Sequence, residues 1–152
     1  MFRLYSKGCE YAIRALLDVA SHGQDSYVAI RDICRRARLP ESSTRKMVQA
    51  LAQQRLLRSI PGPHGGYQLA RPPDQISILD VIEVIDGTGA FKACVLGLPA
   101  CRDEAPCALH PTWEETTRAL LPTLGRLTLR DLAATMRVAA ASSDAIRRRR
   151  QG

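Results

Sequence analysis

The feature that most constrains this chain is a run of proline and glycine at residues 61–65, which reads PGPHG. Proline lacks a backbone donor and has a fixed φ, so neither a helix nor the interior of a sheet accommodates this run. The apolar segments on either side predict two strands, over 57–60 and 66–70, that are joined by the run as a hairpin. The sequence RPP at 71–73 prevents the second strand from continuing.

Three helices are predicted before this hairpin. The first is capped by Ser6 and has apolar residues at helical spacing to about His22. The second covers about 29–37, and the third runs from 41 to 54 after a break at Pro40, because proline disfavours helix in the residue before it. A short helix, a brief turn, a longer helix and a hairpin are typical of a winged helix-turn-helix.

The second half of the chain has clear helix boundaries around an irregular centre. Ser77 and Asp80 form the pattern of a capping box, and Gly87 ends the helix that follows. Residues 87–111 carry no periodicity, and a long helix is predicted from about Thr112. Thr128 indicates another helix start, with that helix reaching about residue 140. The predicted fold is mainly α with a small two-stranded β-wing.

Positive charge is concentrated in the helix-turn-helix and wing. The formal net charge is +7, and six basic residues but only one acid lie between residues 38 and 71. This distribution favours a polyanionic partner. A basic solvated helix face beside a plain hairpin would give a similar count, but the combination of helix-turn-helix, wing and charge favours DNA.

The candidate DNA contacts fall on the third helix and the wing. Hydroxyl side chains in the first helical turn suit phosphate contacts, and the next polar side chains can reach base edges in the major groove. The wing tip can enter a minor groove. The candidates are Ser42, Ser43, Thr44, Arg45, Lys46, Gln49, Arg58, His64 and Gly65.

Three cysteines and a histidine lie within seventeen residues, in the order Cys94, Cys101, Cys107 and His110. Thiolates and imidazoles bind iron and zinc, so the C-x6-C-x5-C-x2-H spacing predicts a metal site. Iron–sulfur and structural zinc sites can both use this set, although zinc fingers usually contain a C-x2-C knuckle. A metal-free thiol switch, with oxidation of Cys101 and Cys107, is a third interpretation.

Several segments together resemble one family of regulators. They are SKGCEYAIRALLDVA near the start, AIRDICRRARLPESSTRKMVQAL, the hairpin text LLRSIPGPHGGYQLARP, ISILDVIEVIDG and the cysteine triplet. The chain resembles the winged-helix family of the iron–sulfur cluster regulator IscR and the nitric-oxide sensor NsrR, often called the Rrf-two family. The C-x6-C spacing is one residue longer than the IscR pattern.

The resemblance implies a homodimer that packs through its long C-terminal helix and binds a palindromic operator in double-stranded DNA. It also implies a 2Fe-2S or 4Fe-4S iron–sulfur cluster on Cys94, Cys101 and Cys107. The implied fourth ligand is His110, as in IscR, or Glu10 of the partner subunit, as in NsrR-like members. The predicted organisation is a winged helix-turn-helix domain (1–73), a cluster-binding loop with dimerisation helices (74–146) and a disordered basic tail (147–152).

We therefore predict a DNA-binding transcriptional regulator, and specifically a repressor, whose cluster senses nitric oxide, redox state or iron. No nucleophile–base motif or phosphate-cradling glycine loop is present, so no enzymatic activity is expected. No apolar run is long enough to cross a bilayer, and a cytoplasmic location is predicted. The alternatives are a cluster-free winged-helix repressor with a thiol switch, and an iron–sulfur or zinc protein that does not bind DNA.

Overall fold

The computed structural model describes residues 4–136, and within them the elements follow the predicted order. They are α1 (Lys7–Ser21), α2 (Ile30–Ala37), α3 (Glu41–Gln53), β1 (Leu57–Ile60), β2 (Gly66–Leu69), α4 (Ile78–Asp86) and α5 (His110–Arg126). A 3₁₀ turn at Pro73–Gln75 connects β2 to α4, and residues 129–136 are helical. The predicted mainly α fold with a two-stranded wing is confirmed. The predicted helix end near residue 140 and the basic tail lie outside the described residues.

The predicted helix starts are made by local hydrogen bonds. The Ser6 side chain accepts a backbone hydrogen bond at the start of α1. At α4, the N–H of Asp80 donates to Ser77 Oγ at 3.0 Å, and the N–H of Ser77 donates to the Asp80 carboxylate at 2.9 Å. The Thr128 N–H donates to the Asp131 carboxylate at 2.9 Å, before the helical residues 129–136. These caps satisfy backbone donors that have no partner within the helix.

The turn between α2 and α3 fixes the orientation of the third helix. Arg38 adopts the left-handed conformation with a φ of 52°, and Pro40 precedes the first residue of α3. The guanidinium of Arg14, on α1, donates to the carbonyl oxygen of Ala37 at the end of α2. The turn is therefore held to α1 as well as to its own two helices.

The wing is attached to the helical body by a backbone bridge. β1 and β2 pair antiparallel, from Leu57 opposite Leu69 to Ile60 opposite Gly66. Beside them, the Val28 N–H donates to Tyr67 O at 2.8 Å, and the Tyr67 N–H donates to Val28 O at 2.9 Å.

Gly66 makes this bridge sterically feasible. Its φ is 150°, and a Cβ at this position would lie 2.5 Å from the carbonyl carbon of Val28. Only glycine combines this conformation with so close an approach of two backbones.

One apolar core joins the helix-turn-helix and wing to the second half of the chain. Leu16 of α1, Leu51 of α3 and Val81 of α4 are fully buried, together with Leu129. At the edge of this core the Ser6 N–H donates to Asp86 Oδ2 at 2.8 Å, and the Ser6 hydroxyl donates to Asp86 Oδ1. The start of α1 is thereby fixed to the end of α4.

Membrane-spanning helices are absent from the described part of the chain. None of the helices within residues 4–136 is both long enough and apolar enough to cross a bilayer.

Candidate functional site

The three spaced cysteines meet in the segment between α4 and α5, residues 87–109, which we call the ligand loop. The Sγ atoms of Cys94, Cys101 and Cys107 all lie within 4.8 Å of one another. The sulfurs of Cys94 and Cys107 are 3.7 Å apart, and the Cys107 N–H donates to Cys101 Sγ at 3.4 Å. All three are half-buried free thiols. The sequence prediction that the triplet converges agrees with this geometry.

Tight turns in the ligand loop bring the thiols together. The Gly97 N–H donates to Cys94 O at 2.8 Å, and Gly97 has a φ of 69°, which favours glycine. The Cys101 N–H donates to Leu98 O at 3.1 Å. Each of the first two cysteines therefore borders a hydrogen-bonded turn.

The surroundings of Cys94 and Cys101 shift the pKa values of these two thiols in opposite directions. Backbone hydrogen bonds, from Leu98 first and also from Leu96, lower the pKa of Cys94 against the opposing effect of desolvation. At Cys101, the Cys107 backbone hydrogen bond acts to lower the pKa, but desolvation and the neighbouring thiols outweigh it, so this pKa is raised. Of these two cysteines, Cys94 therefore more readily forms the thiolate, which is the form that binds metals.

The two remaining cysteines lie outside this group. Burial, with a smaller contribution from Asp86, raises the pKa of Cys9 on α1 to about 12. Burial also raises the pKa of Cys34 on α2. Both side chains belong to the apolar core, where a neutral thiol packs as a small hydrophobic group.

His110, the first residue of α5, adjoins the cysteine group. Its Nδ1 lies 3.3 Å from Cys101 Sγ, and its Nε2 lies 3.1 Å from Oδ1 of Asp103. One turn further along α5, Trp113 Nε1 donates to Ala93 O at 3.1 Å and ties the ligand loop to the helix. Sequence reasoning missed Asp103.

The other candidate ligand, Glu10, lies on α1 and is not part of the cysteine group. Its carboxylate is 2.8 Å from Lys7 Nζ and 3.6 Å from Arg14 Nη1 of the same helix. Within one subunit, the structure brings His110 to the cysteines and leaves Glu10 in ion pairs along α1.

A cavity of about 450 Å³ opens beside the thiols. Cys94, Cys101 and His110 line one part of it, and the rings of Phe91 and Trp113 line another. Small molecules from solvent can therefore reach the cysteine group directly.

The candidate DNA contacts at the start of α3 divide into exposed and buried side chains. Ser42, Ser43, Lys46 and Gln49 are exposed, as is Arg45, whose guanidinium pairs with Glu41 at 2.5 Å. These positions lie along residues 42–49 of α3, and at its amino-terminal end the backbone N–H groups also favour phosphate.

Thr44 requires a correction. Its side chain is fully buried, and its hydroxyl donates to the carbonyl oxygen of Pro40 at 2.8 Å. The predicted phosphate contact of this hydroxyl is wrong, because the group faces the core and is already bonded within the start of the helix.

The wing presents the remaining candidates. Arg58 and His64 are exposed, and Gly65 is half-buried at a position where a Cβ would lie 2.8 Å from the carbonyl carbon of Ile60. Arg55 and Arg71, which the sequence reasoning did not assign, line a cavity of about 780 Å³ together with Arg58. None of the residues lining it is acidic, so anions are attracted to this side of the wing.

Known proteins resemble this chain over almost all of the described residues. The family "Rrf2: Iron-dependent Transcriptional regulator" matches residues 5–135. The chain belongs to the Rrf2 family. The resemblance seen in the sequence is thereby confirmed, and the function follows at a coarse level: this Rrf2 protein is a DNA-binding transcriptional regulator and not an enzyme.

Relatives in sequence and structure support the Rrf2 assignment. "Protein rrf2" of Nitratidesulfovibrio vulgaris is 34% identical over 122 residues, covering 80% of this chain and 81% of the relative. "HTH-type transcriptional regulator IscR" of Xenorhabdus nematophila is 33% identical over 130 residues, covering 86% and 78%. The solved structure of T. potens IscR has a TM-score of 0.69 at 25% identity and covers 88% of each chain. CymR, the global cysteine regulator of B. subtilis, has a TM-score of 0.70 at 27% identity, covering 89% and 98%.

Proposed function

We propose that this Rrf2 regulator is a repressor whose operator affinity is set by an iron–sulfur cluster on Cys94, Cys101, Cys107 and His110. One observation carries the proposal: three thiols separated in sequence lie within 4.8 Å of one another, with an imidazole nitrogen 3.3 Å from one of them. Relatives named IscR at 33% identity support the same conclusion.

The donor set fits an iron centre. Two thiolates on one tetrahedral metal, each at about 2.3 Å from it, are about 3.8 Å apart. The 3.7 Å between the sulfurs of Cys94 and Cys107 suits two ligands of one iron, and it suits zinc equally well. An iron–sulfur cluster, when bound, supplies reversible electron transfer and a centre that nitric oxide or oxygen attacks. The cavity beside Cys94 and His110 gives such molecules access.

His110 is the better-supported fourth ligand. Its Nδ1 already faces Cys101, whereas the Glu10 carboxylate is in ion pairs with Lys7 and Arg14 of its own helix. Ligation by Glu10 of the partner subunit would require these pairs to be exchanged for the cluster. Spectroscopy distinguishes the two, since only the histidine contributes a nitrogen ligand.

A homodimer on a palindromic operator completes the proposal. The ligand loop leaves several large apolar side chains exposed beside the cysteines, which is typical of a surface that a second subunit covers. They are Val95, Leu96, Leu98 and Leu109. The loop also connects α4, which is fixed to α1 through Asp86 and Ser6, with α5. Cluster binding changes operator affinity only if it favours one arrangement of the two DNA-binding units over another.

The decisive experiment is anaerobic purification followed by measurement of visible absorption and of iron, sulfide and zinc per chain. DNA selected from a random pool then serves as the operator for binding by the cluster-loaded and cluster-free forms. We expect iron and sulfide, with a ratio and spectrum that assign 2Fe-2S or 4Fe-4S, and a different operator affinity for the two forms. One zinc per chain without iron after reconstitution would overturn the cluster proposal, and equal affinities would overturn the regulatory one.

A second candidate function is a metal-free thiol switch. The sequence predicted Cys101 and Cys107 as its pair, whereas the short distance between the sulfurs of Cys94 and Cys107 favours that pair instead. Their sulfurs at 3.7 Å would need to approach to about 2.05 Å to form a disulfide. The two thiols would lose two electrons and two protons to a peroxide, which is reduced to water. In iron-free protein treated with peroxide, a disulfide that changes operator affinity would support this alternative to the cluster.

Arg45→Ala should weaken operator binding by about 1–3 kcal/mol, or about 5–150-fold, if the guanidinium contacts a base. The side chain is exposed on α3 and forms an i,i+4 pair with Glu41. The matched control is Arg118→Ala, which removes an arginine from a similar i,i+4 pair with Glu114 at 2.6 Å on α5. Fluorescence anisotropy with labelled operator measures both, and equal affinities for the two variants would contradict the base contact.

A further inference from the structure

We propose that Asp103 is a positioning residue for the metal centre, and that it holds His110 in the tautomer that offers Nδ1 to the metal. This inference rests on the proposed metal function of the ligand loop. The structure places the two ring nitrogens against different groups: Nε2 is 3.1 Å from Asp103 Oδ1, and Nδ1 is 3.3 Å from Cys101 Sγ.

The chemistry of the two partners assigns the ring protons. A neutral imidazole carries one N–H, and an ionised carboxylate only accepts hydrogen bonds. Nε2 is therefore the donor to Asp103, which leaves the Nδ1 lone pair directed at the cysteine group. Metal-bound histidines commonly donate their other ring N–H to a carboxylate in this way, which fixes the tautomer and the orientation of the ring.

The local backbone presents Asp103 to the ring. Arg102 and Ala105 exchange backbone hydrogen bonds, with the Ala105 N–H donating to Arg102 O at 3.0 Å. Asp103 lies within the turn that this pair closes, and the turn separates Cys101 from Cys107 in sequence. The same short segment therefore contains two candidate ligands, Cys101 and Cys107, and the carboxylate that orients His110.

The exposure of the two side chains indicates that this contact orients the His110 ring and contributes little to folding. The Asp103 side chain is 94% exposed, whereas that of His110 is only 21% exposed. An exposed carboxylate contributes little to the stability of the fold, so variants at Asp103 should remain folded. What they should lose is the preference of the ring for one tautomer.

The first test reads the tautomer in metal-free protein by nitrogen-15 NMR of labelled histidine in the full chain. The chain has three histidines, so His22 and His64 are internal references and His110→Gln assigns the third signal. We expect the Nε2–H form in the wild type and in Asp103→Asn, whose side-chain oxygen still accepts. Asp103→Ala should give a mixture of tautomers. Glu104→Ala removes the adjacent negative charge and should leave the tautomer unchanged.

The second test uses Co²⁺ as a probe of the ligand set, because its visible bands report tetrahedral thiolate and imidazole ligation. Asp103→Ala should weaken Co²⁺ binding about 10–100-fold, as loss of such a contact does elsewhere. Asp103→Asn should recover most of the affinity, and Glu104→Ala should match the wild type.

The inference is wrong if Asp103→Ala retains both the wild-type tautomer and the wild-type Co²⁺ affinity. It is also wrong if Glu104→Ala weakens binding as much as Asp103→Ala, since the effect would then be one of charge alone. Failure of the cluster proposal alone would give a different result. The protein would stay colourless after addition of iron and sulfide, but its His110 tautomer and its Co²⁺ affinity would still depend on Asp103.

Discussion

Cys101→Ala should abolish the visible absorption of the protein after reconstitution with iron and sulfide. Cys101 contacts two of the other three members of the proposed site, since its sulfur accepts from the Cys107 backbone and lies 3.3 Å from His110 Nδ1. Its removal leaves two thiolates and the imidazole of His110, one ligand short of the four that the proposed cluster needs. Absorption spectra and iron content per chain, with circular dichroism to confirm folding, measure the effect.

Cys34→Ala is the matched control for this loss. It also removes one sulfur, but from a side chain that packs in the core on α2. The control variant should keep the colour and the iron content, and lose only a small amount of stability. Full colour in Cys101→Ala would show that the ligand assignment is wrong. The operator affinity of Cys101→Ala should equal that of cluster-free wild-type protein if the cluster alone controls DNA binding.

Gly66→Ala should lower the free energy of unfolding by about 3 kcal/mol or more, because a Cβ meets the Val28 carbonyl and the φ of 150° is unfavourable for alanine. For a chain of this length, that corresponds to a fall in melting temperature of about 6–12 °C. The hydrogen bonds between Val28 and Tyr67 should also be lost, which displaces the wing and weakens operator binding. Thermal unfolding and DNA anisotropy on the same samples measure both effects.

Gly23→Ala separates the two causes of this destabilisation. Gly23 has a positive φ of 77°, but nothing lies within 4 Å of the position of its Cβ. Only the conformational cost of about 1–2 kcal/mol is expected there, without an effect on DNA binding. Equal destabilisation by the two substitutions would show that the clash with Val28 does not occur.

The sequence predicted those elements that depend on local chemistry. The hairpin follows from prolines and glycines at 61–65, and its strands lie within one residue of the predicted bounds. The start of α4 follows from the reciprocal hydrogen bonds of Ser77 and Asp80. In each case, the residues that determine the structure are only a few positions apart, so their spacing can be recognised in the amino-acid sequence.

The error at Thr44 has a different origin. Three adjacent hydroxyl residues look alike at a helix start, and only the packing of the helix determines which of them faces inward. Thr44, Val48 and Leu51 share the i, i+4, i+7 stripe that faces the core, so helical periodicity could have identified the buried member.

The pairing of Asp103 with His110 could not have been predicted in this way. The two residues are seven positions apart across an irregular loop, where neither helical nor strand periodicity relates side chains. Arg55 and Arg71 present the same difficulty, since the hairpin brings together arginines that flank it in sequence. The positions of these side chains depend on the path of the backbone through the loop and the hairpin, and the amino-acid composition alone does not specify that path.

The bridge between Val28 and Tyr67 limits how the regulator can respond to a signal. Because the wing exchanges backbone hydrogen bonds with the residue that leads into α2, the wing is fixed to the helical body that also contains α3, and we expect the two to move together. A signal at the ligand loop should therefore leave the proposed base contacts of each subunit unchanged. In the proposed dimer, the signal would change only the distance and the relative rotation between the two DNA-binding units. The spacing between operator half-sites, more than their sequence, would then distinguish cluster-loaded from cluster-free protein.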